Sequence, residues 1–427
     1  MMTMAMEKGL RIAVIGGGVA GIASSYLLQR KHKITLFEKN DYVGGHTHTV
    51  VLDGGPDRGL PIDTGFIVLN DRTYPLLNRF LAQLGVPIRK TDMSFSYACR
   101  ETGLEYASRN LNGFFAQRRN LLQPGFWNLL RNIFRFNRKT LQYLSEESLK
   151  GITLGQYLKQ AGFHGDIVDK YLIPMSAAIW STPDLKMMDF PAESFFRFMA
   201  NHGLLSISDQ PQWYHIEGGS HSYVKAFLNN FHGTVHVNRE VKRIRRTEKG
   251  VILSTAENGE VSFDRVVVAA HADEAFALLD DPSAEEIRLL SPWSYNRNQT
   301  ILHTDASLLP TNRRAWAAWN YLRERDVLSG SPITVTYHMN RLQHLSTPQD
   351  YCVTLNPARP IPSANIIREM DYAHPLYTFA ALKTQAGLPD LNGTRYTFYC
   401  GSYFGYGFHE DALRSAIQVA SHFGIEL

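Results

Sequence analysis

The chain has 427 residues, of which 44% are hydrophobic and 20% are charged, and its formal net charge is +4. This composition is that of an ordinary globular protein, and it excludes a largely disordered chain. The small positive charge is too weak to indicate a nucleic-acid partner, so we expect none. A chain longer than about 300 residues exceeds what one hydrophobic core supports, so we expect two domains.

The cysteines and the apolar segments set further limits. Cys99, Cys352 and Cys400 are scattered without metal-ligand spacing, which is typical of reduced thiols in a cytosolic protein, and we expect no metal site. The N-terminal segment lacks the apolar core of a signal peptide, and no uninterrupted run of about 18 apolar residues indicates a membrane span. We therefore expect a cytoplasmic protein, with association to a membrane surface as an open alternative.

The first elements in chain order form a compact unit. Residues 11–15 predict a strand, a glycine-rich turn follows, residues 19–30 predict a helix, and residues 33–38 predict a second strand. Residues 76–205 show mainly helical patterns with many aromatic side chains. A βαβ unit is typical of an α/β fold built on a parallel sheet.

Strand patterns return after the helical region, in the segments VHVNREVKRIRR, GVILSTA and VSFDRVVVAA. Residues 276–394 mix β-prone pieces with proline-rich loops, residues 395–400 predict a strand, and residues 410–423 predict a helix. This alternation indicates a discontinuous nucleotide domain into which a mixed α+β substrate domain is inserted. We predict the nucleotide domain at residues 1–75, 206–275 and 395–427, and the substrate domain at residues 76–205 and 276–394.

A glycine pattern follows the first predicted strand. In Gly16-x-Gly18-x-x-Gly21, the first glycine allows a tight turn, the second admits a diphosphate to the backbone, and the third permits close packing of helix on strand. The start of the helix offers its N–H groups to the anion, and Glu38 ends the next strand where a ribose diol would lie. The alternative is a plain glycine-rich turn with Glu38 as a solvent-exposed strand end.

A second glycine turn follows Glu38 in the segment EKNDYVGGHTHTV, at Gly44, Gly45 and His46. The series GGGVAGI, FEKNDYVGGHT and IDTGFIV resembles the superfamily of flavin amine oxidases, protoporphyrinogen oxidases and phytoene desaturases. The resemblance implies a Rossmann-like FAD-binding domain of the GR2 type and noncovalent FAD. His46 stands where that superfamily usually has arginine, and a histidine binds phosphate more weakly and with a dependence on pH.

Later segments extend the resemblance: IEGGSHSYVKAF, NREVKRI, RVVVAAHA and YTFYCGSYFGYGFHEDALRSAIQVA. It implies that the first turn of the last helix points N–H groups at the flavin, and Ser402 stands where relatives often have glutamate. His409, just before this turn, either adds a positive charge or is a capping or exposed residue. The glycine pattern and the resemblance together assign cofactor contacts to Gly16, Gly18, Val19, Ala20, Gly21, Glu38, Lys39, Gly44, Gly45, His46, Thr64, Gly65, Phe66, Val241, Ala269, Ala270, Gly401, Ser402, Glu410, Asp411 and Ala412.

The chemistry follows from two further features. One dinucleotide pattern is present rather than two, which favours an enzyme whose substrate gives a hydride to FAD and whose electrons then pass to O2 or another acceptor. Amine oxidases of the superfamily usually place a lysine near the flavin, and the corresponding stretch SYNRNQTILHTD has Arg297, Asn298 and Gln299 instead. This absence counts against amine oxidation. Cys400 raises the question of covalent flavin, but core packing fits its strand position better.

Residues 114–144 include a basic, aromatic helix. Its cations and its apolar residues recur at helical spacing, and we expect them on different sides: Arg131, Arg135, Arg138 and Lys139 on one, Phe126, Leu130, Ile133 and Phe134 on the other. Such a helix either lies in an anionic membrane interface or packs its apolar side on the core with a cationic outer face. Both alternatives stay open from the sequence.

The segments YLIPMSAAIWSTP, TVTYHMNRLQHL and YCVTLNP are similar to a bacterial branch of flavoproteins associated with modified fatty acids. The resemblance implies an acyl-chain dehydrogenase or desaturase acting on fatty acids of (phospho)lipids. The alternatives are a redox-neutral double-bond isomerase, an amine oxidase, and a flavoprotein that binds lipid or a partner without turnover. Candidates for an apolar substrate slot are Phe66, Trp180, Tyr403, Phe404 and Tyr406, and the catalytic candidates are Tyr406, His409 and Phe404.

Overall fold

The computed structural model describes residues 9–108, 110–180, 187–206, 210–256, 259–324 and 334–427; the side chain of Trp180, a candidate for the substrate slot, lies outside the described residues. The strands of this part are β1 (Arg11–Ile15), β2 (Lys33–Phe37), β3 (Thr49–Val51), β4 (Pro61–Asp63), β5 (Val68–Asn70), β6 (Ile88–Thr91), β7 (Phe95–Cys99), β8 (Glu105–Ala107), β9 (Trp213–Ile216), β10 (Thr234–His236), β11 (Val241–Thr247), β12 (Gly250–Thr255), β13 (Gly259–Phe263), β14 (Arg265–Val268), β15 (Tyr295–His303), β16 (Trp319–Arg323), β17 (Thr334–His338), β18 (Cys352–Leu355), β19 (Ile366–Pro375) and β20 (Thr397–Tyr399).

The α-helices of the described residues are α1 (Val19–Leu28), α2 (Pro75–Gln83), α3 (Leu111–Phe114), α4 (Pro124–Ser145), α5 (Leu154–Ala161), α6 (Ile173–Trp180), α7 (Ala192–Asn201), α8 (His221–Asn229), α9 (Ala272–Ala277), α10 (Ala284–Leu290), α11 (Met339–Leu342), α12 (Phe379–Thr384) and α13 (His409–Ser421). A π-helical turn, Val168–Leu172, leads into α6, and short 3-10 turns include Arg118–Leu122 and Ser402–Phe404. No helix in the described part of the chain is both long and apolar enough to cross a bilayer.

The nucleotide side of the molecule is a five-stranded parallel sheet in the order β10-β2-β1-β14-β20. The central strand β1 has the sequence RIAVI, and its apolar residues are buried because helices cover a parallel sheet on both faces. α1 follows β1 and packs against α13. The carboxyl ends of β1, β14 and β20 lie at one edge of the sheet, where α/β proteins place their ligands.

A seven-stranded mixed sheet lies on the other side, in the order β19-β15-β18-β17-β16-β7-β8. Its strands β7 and β8 come from the first excursion of the chain and β15–β19 from the second. The two groups join where β7 pairs in parallel with β16, with Phe95 opposite Trp319 and Tyr97 opposite Tyr321. The sheet therefore connects the two stretches that the sequence assigns to a substrate domain. The domain boundaries themselves stay a prediction.

The expectation of mainly helical structure over residues 76–205 is wrong for its first third, which contains β6, β7 and β8. Each of these strands is short, and two of them pair with strands more than 100 residues away: β6 with β9 and β7 with β16. Local sequence patterns do not show such distant partners, so the helical pattern that follows dominated the prediction.

α2 is joined directly to the nucleotide side. The Glu410 carboxylate of α13 accepts hydrogen bonds from the N–H groups of Leu76 and Leu77 at the start of α2, both at 3.0 Å. A carboxylate at a helix N-terminus satisfies free N–H groups and interacts favourably with the helix dipole. The Glu410 side chain therefore anchors α2.

Candidate functional site

The first glycine turn has the geometry that the sequence predicts. Gly16 has a φ of +99°, and a Cβ there would lie 2.5 Å from the Ala269 carbonyl oxygen. A Cβ on Gly21 would lie 1.8 Å from the carbonyl oxygen of Gly16, so only glycine allows α1 to pack this closely. A Cβ on Gly18 would meet no atom within 4 Å. The turn therefore leaves an open space beside Gly18, at the N-terminus of α1, that fits an anionic diphosphate.

Glu38 is 5% exposed and is held by backbone donors. Its Oε2 accepts a hydrogen bond from the Gly17 N–H at 2.7 Å, and its Oε1 accepts one from the Asn40 N–H at 2.8 Å. Each carboxylate oxygen keeps a further lone pair for a ribose hydroxyl. The alternative of a solvent-exposed strand end is wrong. Lys39 extends outward and pairs with Glu274 at 2.6 Å.

The second glycine turn meets the first. The Gly44 N–H donates to the Gly17 carbonyl at 2.8 Å, and a Cβ on Gly45 would lie 3.1 Å from the Gly18 Cα. Gly45 has a φ of +59°, a conformation that favours glycine. The two turns therefore form one backbone cradle.

The C-terminal element completes the nucleotide side, with one correction. The N–H groups of Asp411 and Ala412 donate to the Phe408 carbonyl, both at 3.1 Å, and so they do not point at a cofactor. The Asp411 carboxylate accepts from the N–H groups of Tyr406 and Phe408 and so holds the loop that precedes α13. Among the described residues no acceptor faces the N–H groups of His409 and Glu410, which are therefore the free donors of this helix start.

His409 is half-buried within the nucleotide side. Its ring stacks on Phe66 with 3.7 Å between ring centroids, and its Nε2 lies 3.0 Å from the Thr47 hydroxyl. Burial lowers the pKa of His409 to about 3, so the ring is neutral at physiological pH. The sequence left open a positive charge, a capping role or an exposed histidine here; in the structure Phe408 is the N-cap residue, and the His409 ring is neutral and stacked on Phe66.

One cavity of about 1630 Å³ joins these elements. Among the residues assigned from the sequence, the following line it: Gly16, Gly18, Val19, Ala20, Glu38, Lys39, Gly44, Gly45, His46, Gly65, Phe66, Val241, Ala269, Ala270, Gly401, Ser402, Tyr403, Tyr406, His409 and Ala412. Five assigned residues lie outside this lining: Gly21, Thr64, Phe404, Glu410 and Asp411.

These five residues have other contacts. Gly21 packs on the Gly16 turn, and Thr64 bonds His48 and the Tyr372 hydroxyl. Phe404 packs on the ring of Tyr403, 4.9 Å between centroids. Glu410 binds α2, and Asp411 holds the loop before α13, as described above. They are therefore structural neighbours of the cavity.

The same cavity continues between α4, α6 and the seven-stranded sheet. We call this part the apolar compartment; it is lined by Phe95, Tyr106, Phe114, Phe115, Leu130, Ile133, Met175, Ile179, Phe198, Trp319 and Tyr337. None of the described cavity-lining residues in α3, α4, α6 and α7 has a charged side chain. Sequence reasoning missed this set because its members look like ordinary core residues.

β15 contains the stretch that corresponds to the lysine-bearing stretch of amine oxidases. Asn298 is fully buried there; its Nδ2 donates to His374 Nδ1 at 2.9 Å, and its Oδ1 accepts from Asn356 Nδ2 at 2.7 Å. Arg297 is exposed and lines the cavity. The strand therefore places a neutral amide–histidine pair beside the cavity, which the sequence did not reveal because His374 lies 76 positions away.

The cysteines are remote from this chemistry. Cys99, Cys352 and Cys400 are buried and do not belong to the cavity lining. Burial raises the pKa of the Cys400 thiol to about 12, which opposes the thiolate that a covalent attachment would need.

Comparisons with known proteins agree with this geometry. A sequence model of the family described as flavin containing amine oxidoreductase matches residues 19–330. The 15-cis-phytoene desaturase of Narcissus pseudonarcissus is 27% identical over 220 residues, which cover 46% of this chain and 36% of that protein. Alignments with curated relatives span only 10% to 59% of the relatives' own lengths.

Two solved structures share the fold. Cyclohexylamine oxidase from Brevibacterium oxydans IH-35A superposes with a TM-score of 0.69 at 14% identity, covering 97% of this chain and 98% of that one. A CLA-producing fatty acid isomerase from P. acnes superposes with a TM-score of 0.64 at 15% identity, covering 96% and 98%. At these identities the likeness shows the fold alone. Together with the family match, it confirms the predicted α/β architecture of a Rossmann-like FAD-binding unit with a second, mixed unit.

The glycine turns, the buried Glu38 carboxylate and the family match together confirm FAD as the cofactor. The chain therefore belongs to the family of flavin-containing amine oxidoreductases, which are FAD-dependent oxidoreductases.

Proposed function

We propose that this protein oxidises the acyl chain of a lipid at the surface of a membrane, with noncovalently bound FAD. In a desaturation, two C–H bonds of neighbouring carbons break and a C=C bond forms. The two electrons and two protons that leave the substrate are finally taken up by O2 or another acceptor. FAD, when bound, supplies this two-electron chemistry, and the protein supplies position and the exclusion of water.

The single observation that carries the proposal is the continuity of the cavity. Nucleotide-lining residues such as Gly18 and apolar residues such as Ile133 and Met175 line the same space. The volume of about 1630 Å³ exceeds that of common small-molecule sites, which supports a cofactor and a substrate side by side. An uncharged lining on the helical side favours a hydrocarbon chain over a charged amine.

The membrane part of the proposal rests on α4. Trp127, Arg131, Phe134, Arg138 and Leu141 recur at intervals of four and three residues, and all five are exposed; we call them the α4 stripe. Phe134 was expected on the apolar, inner side. It is 53% exposed because it lies three residues after Arg131 and four before Arg138, on their face.

The α4 stripe combines apolar and cationic groups in one plane. Trp127 is 49% exposed, and Leu121 and Leu122 before the helix are exposed as well. Among the described residues neither Arg131 nor Arg138 has a hydrogen-bond or ion-pair partner. Bulky apolar groups beside free cations are the composition of a helix lying in an anionic bilayer surface.

The α4 stripe adjoins the cavity. Trp127 and Phe134 belong both to the stripe and to the cavity lining. Their position supports a path by which an acyl chain enters the apolar compartment from the bilayer without crossing water. Leu130 and Ile133, one turn apart on the inner side of α4, would continue that path.

Tyr406 and His409 remain the candidates for contact with the reacting part of the substrate or with the flavin, and we propose no such role for Phe404. Tyr406 lines the cavity, and burial raises the pKa of its phenol, so it serves as a neutral hydrogen-bond donor. His409 is neutral and fixed between Phe66 and Thr47. Both side chains are therefore uncharged, and we propose that they position the reactants.

A redox-neutral double-bond isomerase is the second candidate, because a fatty acid isomerase shares the fold and because the same apolar compartment fits an unsaturated chain. In that reaction the hydrogen and electrons removed from one carbon return to another, and no external acceptor is consumed. Amine oxidation is less well supported, since β15 holds the buried Asn298 in place of a lysine.

The test is anaerobic mixing of the purified holoprotein with vesicles of a bacterial phospholipid extract, followed at the flavin absorption band. We expect bleaching, and mass spectrometry of the fatty acids should show the loss of two hydrogens. Unchanged mass with a moved double bond supports the isomerase. Bleaching by putrescine or another soluble amine, with none by the vesicles, refutes the proposal.

A further inference from the structure

Three histidines converge beside the backbone cradle from three separate segments. His46 follows Gly45, His271 follows Ala270, and His374 lies in β19. The ring centroid of His46 lies 6.0 Å from that of His271 and 5.4 Å from that of His374. All three line the cavity, and we call them the histidine cluster.

The hydrogen bonds of the histidine cluster leave ring nitrogens free. The His46 ring donates to the Ala373 carbonyl, and its Nε2 is buried with no partner in the described structure. Asn298 donates to His374 Nδ1, so His374 carries its proton on Nε2, for which no described residue supplies an acceptor. A buried nitrogen without a partner is costly and indicates a missing proton or ligand.

The surroundings of the histidine cluster keep it neutral in this structure. Burial lowers the pKa of all three rings, that of His374 to about 4, and each of His46 and His374 is lowered further by neighbouring histidines.

The charged and titratable groups that face the cluster come from several elements. The groups that act on it from outside are His409 at the start of α13, Asp273 and Glu274 in α9, and Lys39 after β2; Tyr372 and Tyr295 pack on the rings. Glu274 is already paired with Lys39. Its other oxygen, Oε2, lies 3.9 Å from His271 Nδ1, whereas His46 and His374 have no carboxylate among the groups that shift their pKa values.

We propose that the histidine cluster binds the diphosphate of FAD together with the glycine cradle, and that it takes up a proton when the cofactor binds. The inference rests on the assignment of FAD as the cofactor and does not depend on the identity of the substrate. A diphosphate brings two negative charges next to the cradle, and a proton on the cluster balances part of them. A proton on His46 Nε2 would turn this unpartnered nitrogen into a hydrogen-bond donor to the diphosphate.

This arrangement differs from the resemblance described above, in which one arginine holds a permanent charge at the position of His46. Three neutral rings can share one proton, and they hold it only while the anion is present. Among the described residues no group of three or more His, Cys, Asp and Glu side chains could hold a metal ion, so the cluster is not a metal site. Four side chains with a permanent or ordinary positive charge also line the cavity, namely Lys39, Arg239, Lys242 and Arg297, and of these Arg297 lies in β15, next to the Asn298 that binds His374.

The sign of the pH effect follows from linkage. A bound state that holds more protons than the free state favours low pH, so FAD affinity should be highest near pH 5.5 and should fall as the pH rises towards 8.5. If binding takes up one full proton, the dissociation constant rises about tenfold for each unit by which the pH rises within the titration window. Binding without proton uptake gives the same affinity throughout.

The experiment follows the fluorescence of FAD released when the holoprotein is diluted, in the absence of substrate, at pH 5.5 to 8.5. Calorimetric rebinding of FAD in two buffers with different ionisation enthalpies counts the protons. For the wild type we expect a dissociation constant at least tenfold larger at pH 8.5 than at pH 5.5, with net proton uptake. The variant His46→Asn/His271→Asn/His374→Gln should bind FAD more weakly and equally at every pH.

Arg297→Gln is the matched control, because it removes a cavity-lining cation that is not a histidine. It should shift the dissociation constant by the same factor at every pH and leave the proton count unchanged. If the triple variant fails to hold FAD, the single variant His374→Gln should still reduce the proton count. A wild-type affinity that does not change with pH overturns the proposal, and so does a pH dependence that survives in the histidine variants.

Discussion

The Glu38 carboxylate and the Gly17 N–H are joined by a hydrogen bond of 2.7 Å that links the second strand of the sheet to the first glycine turn. The other Glu38 oxygen binds the Asn40 N–H at 2.8 Å. One buried side chain therefore fixes the turn and presents lone pairs to the cavity. Substitution of Glu38 should therefore disturb both the glycine turn and the binding of the cofactor.

Replacement Glu38→Gln puts an NH2 group where a carboxylate oxygen accepts a backbone N–H. A lost charge-assisted hydrogen bond costs about 1.5–3 kcal/mol, so FAD should bind about 10- to 100-fold more weakly. Fluorescence titration with FAD measures this change. Glu240→Gln is the control, because Glu240 also lines the cavity but pairs with Lys242 at the surface. Equal effects of the two substitutions would contradict the role of Glu38.

Alanine should affect different properties at Gly18 and Gly21: the binding of FAD at Gly18, and the stability of the fold at Gly21. Gly18→Ala adds a methyl group in open space, where the diphosphate would lie, so the variant should fold with an unchanged Tm of the FAD-free form and lose its colour. Gly21→Ala forces a methyl group onto the Gly16 carbonyl, and overpacking of this kind destabilises by about 1–3 kcal/mol or more. Calorimetry of the FAD-free proteins separates them. A colourless but thermally unchanged Gly21→Ala would contradict the packing argument.

The α4 stripe should control attachment to anionic membranes. Each cation near such a surface contributes about 1 kcal/mol, so Arg131→Gln/Arg138→Gln should reduce binding to vesicles containing phosphatidylglycerol about 30-fold, with little effect on vesicles of phosphatidylcholine. Trp127→Ser/Phe134→Ser should weaken binding to both. Co-sedimentation with vesicles measures these partition constants.

The matched control lies on the same helix. Arg135 is bound to the carbonyl groups of Ala161 and Gly162 and lies over the ring of Phe163, so Arg135→Gln should leave vesicle binding nearly unchanged. Loss of binding by Arg135→Gln equal to that of the stripe variants would indicate general charge attraction rather than a docking face.

Asp63 predicts a dependence of stability on pH. Burial raises the pKa of this carboxyl to about 6, above the value of 3.8 expected in the unfolded chain. The folded protein therefore binds more protons between these values, and the wild type loses stability as the pH rises through this window. Asp63→Asn keeps an oxygen for the bonds from Thr49 and Ser220 and replaces the oxygen that has no partner.

The variant Asp63→Asn should therefore gain about 1–2 kcal/mol over the wild type at pH 7.5, after the cost of an unpartnered NH2 group. The gain should disappear at pH 3.8 and below. Urea unfolding at several pH values measures it, and Asp53→Asn on the exposed surface is the control. A difference between variant and wild type that is constant with pH would refute the assignment.

The nucleotide side could be predicted from the sequence because its determinants are local. Gly16 and Gly21 are constrained by close contacts of the turn, Gly18 leaves the open space beside it, and β1, α1 and β2 follow from short apolar patterns. The family match covers residues 19–330, which include α1 and β2.

The rest depends on contacts between distant segments. The histidine cluster is assembled from residues 46, 271 and 374, and β7 finds its partner β16 more than 200 positions away. The start of α13 was predicted from the sequence. The N–H groups that remain free at this start are determined by the bonds of the Phe408 carbonyl and the Asp411 carboxylate, which the sequence does not show. The outward position of Phe134 could have been obtained from strict helical spacing with Arg131 and Arg138.

The strand β20 and the helix α13 supply an edge strand of the parallel sheet and part of the cavity lining, and both lie beyond residue 396. During synthesis the ribosome releases β1, the glycine turns and β14 long before these elements exist. The nascent chain therefore cannot form a complete cofactor site until residues 397–421 have left the exit tunnel.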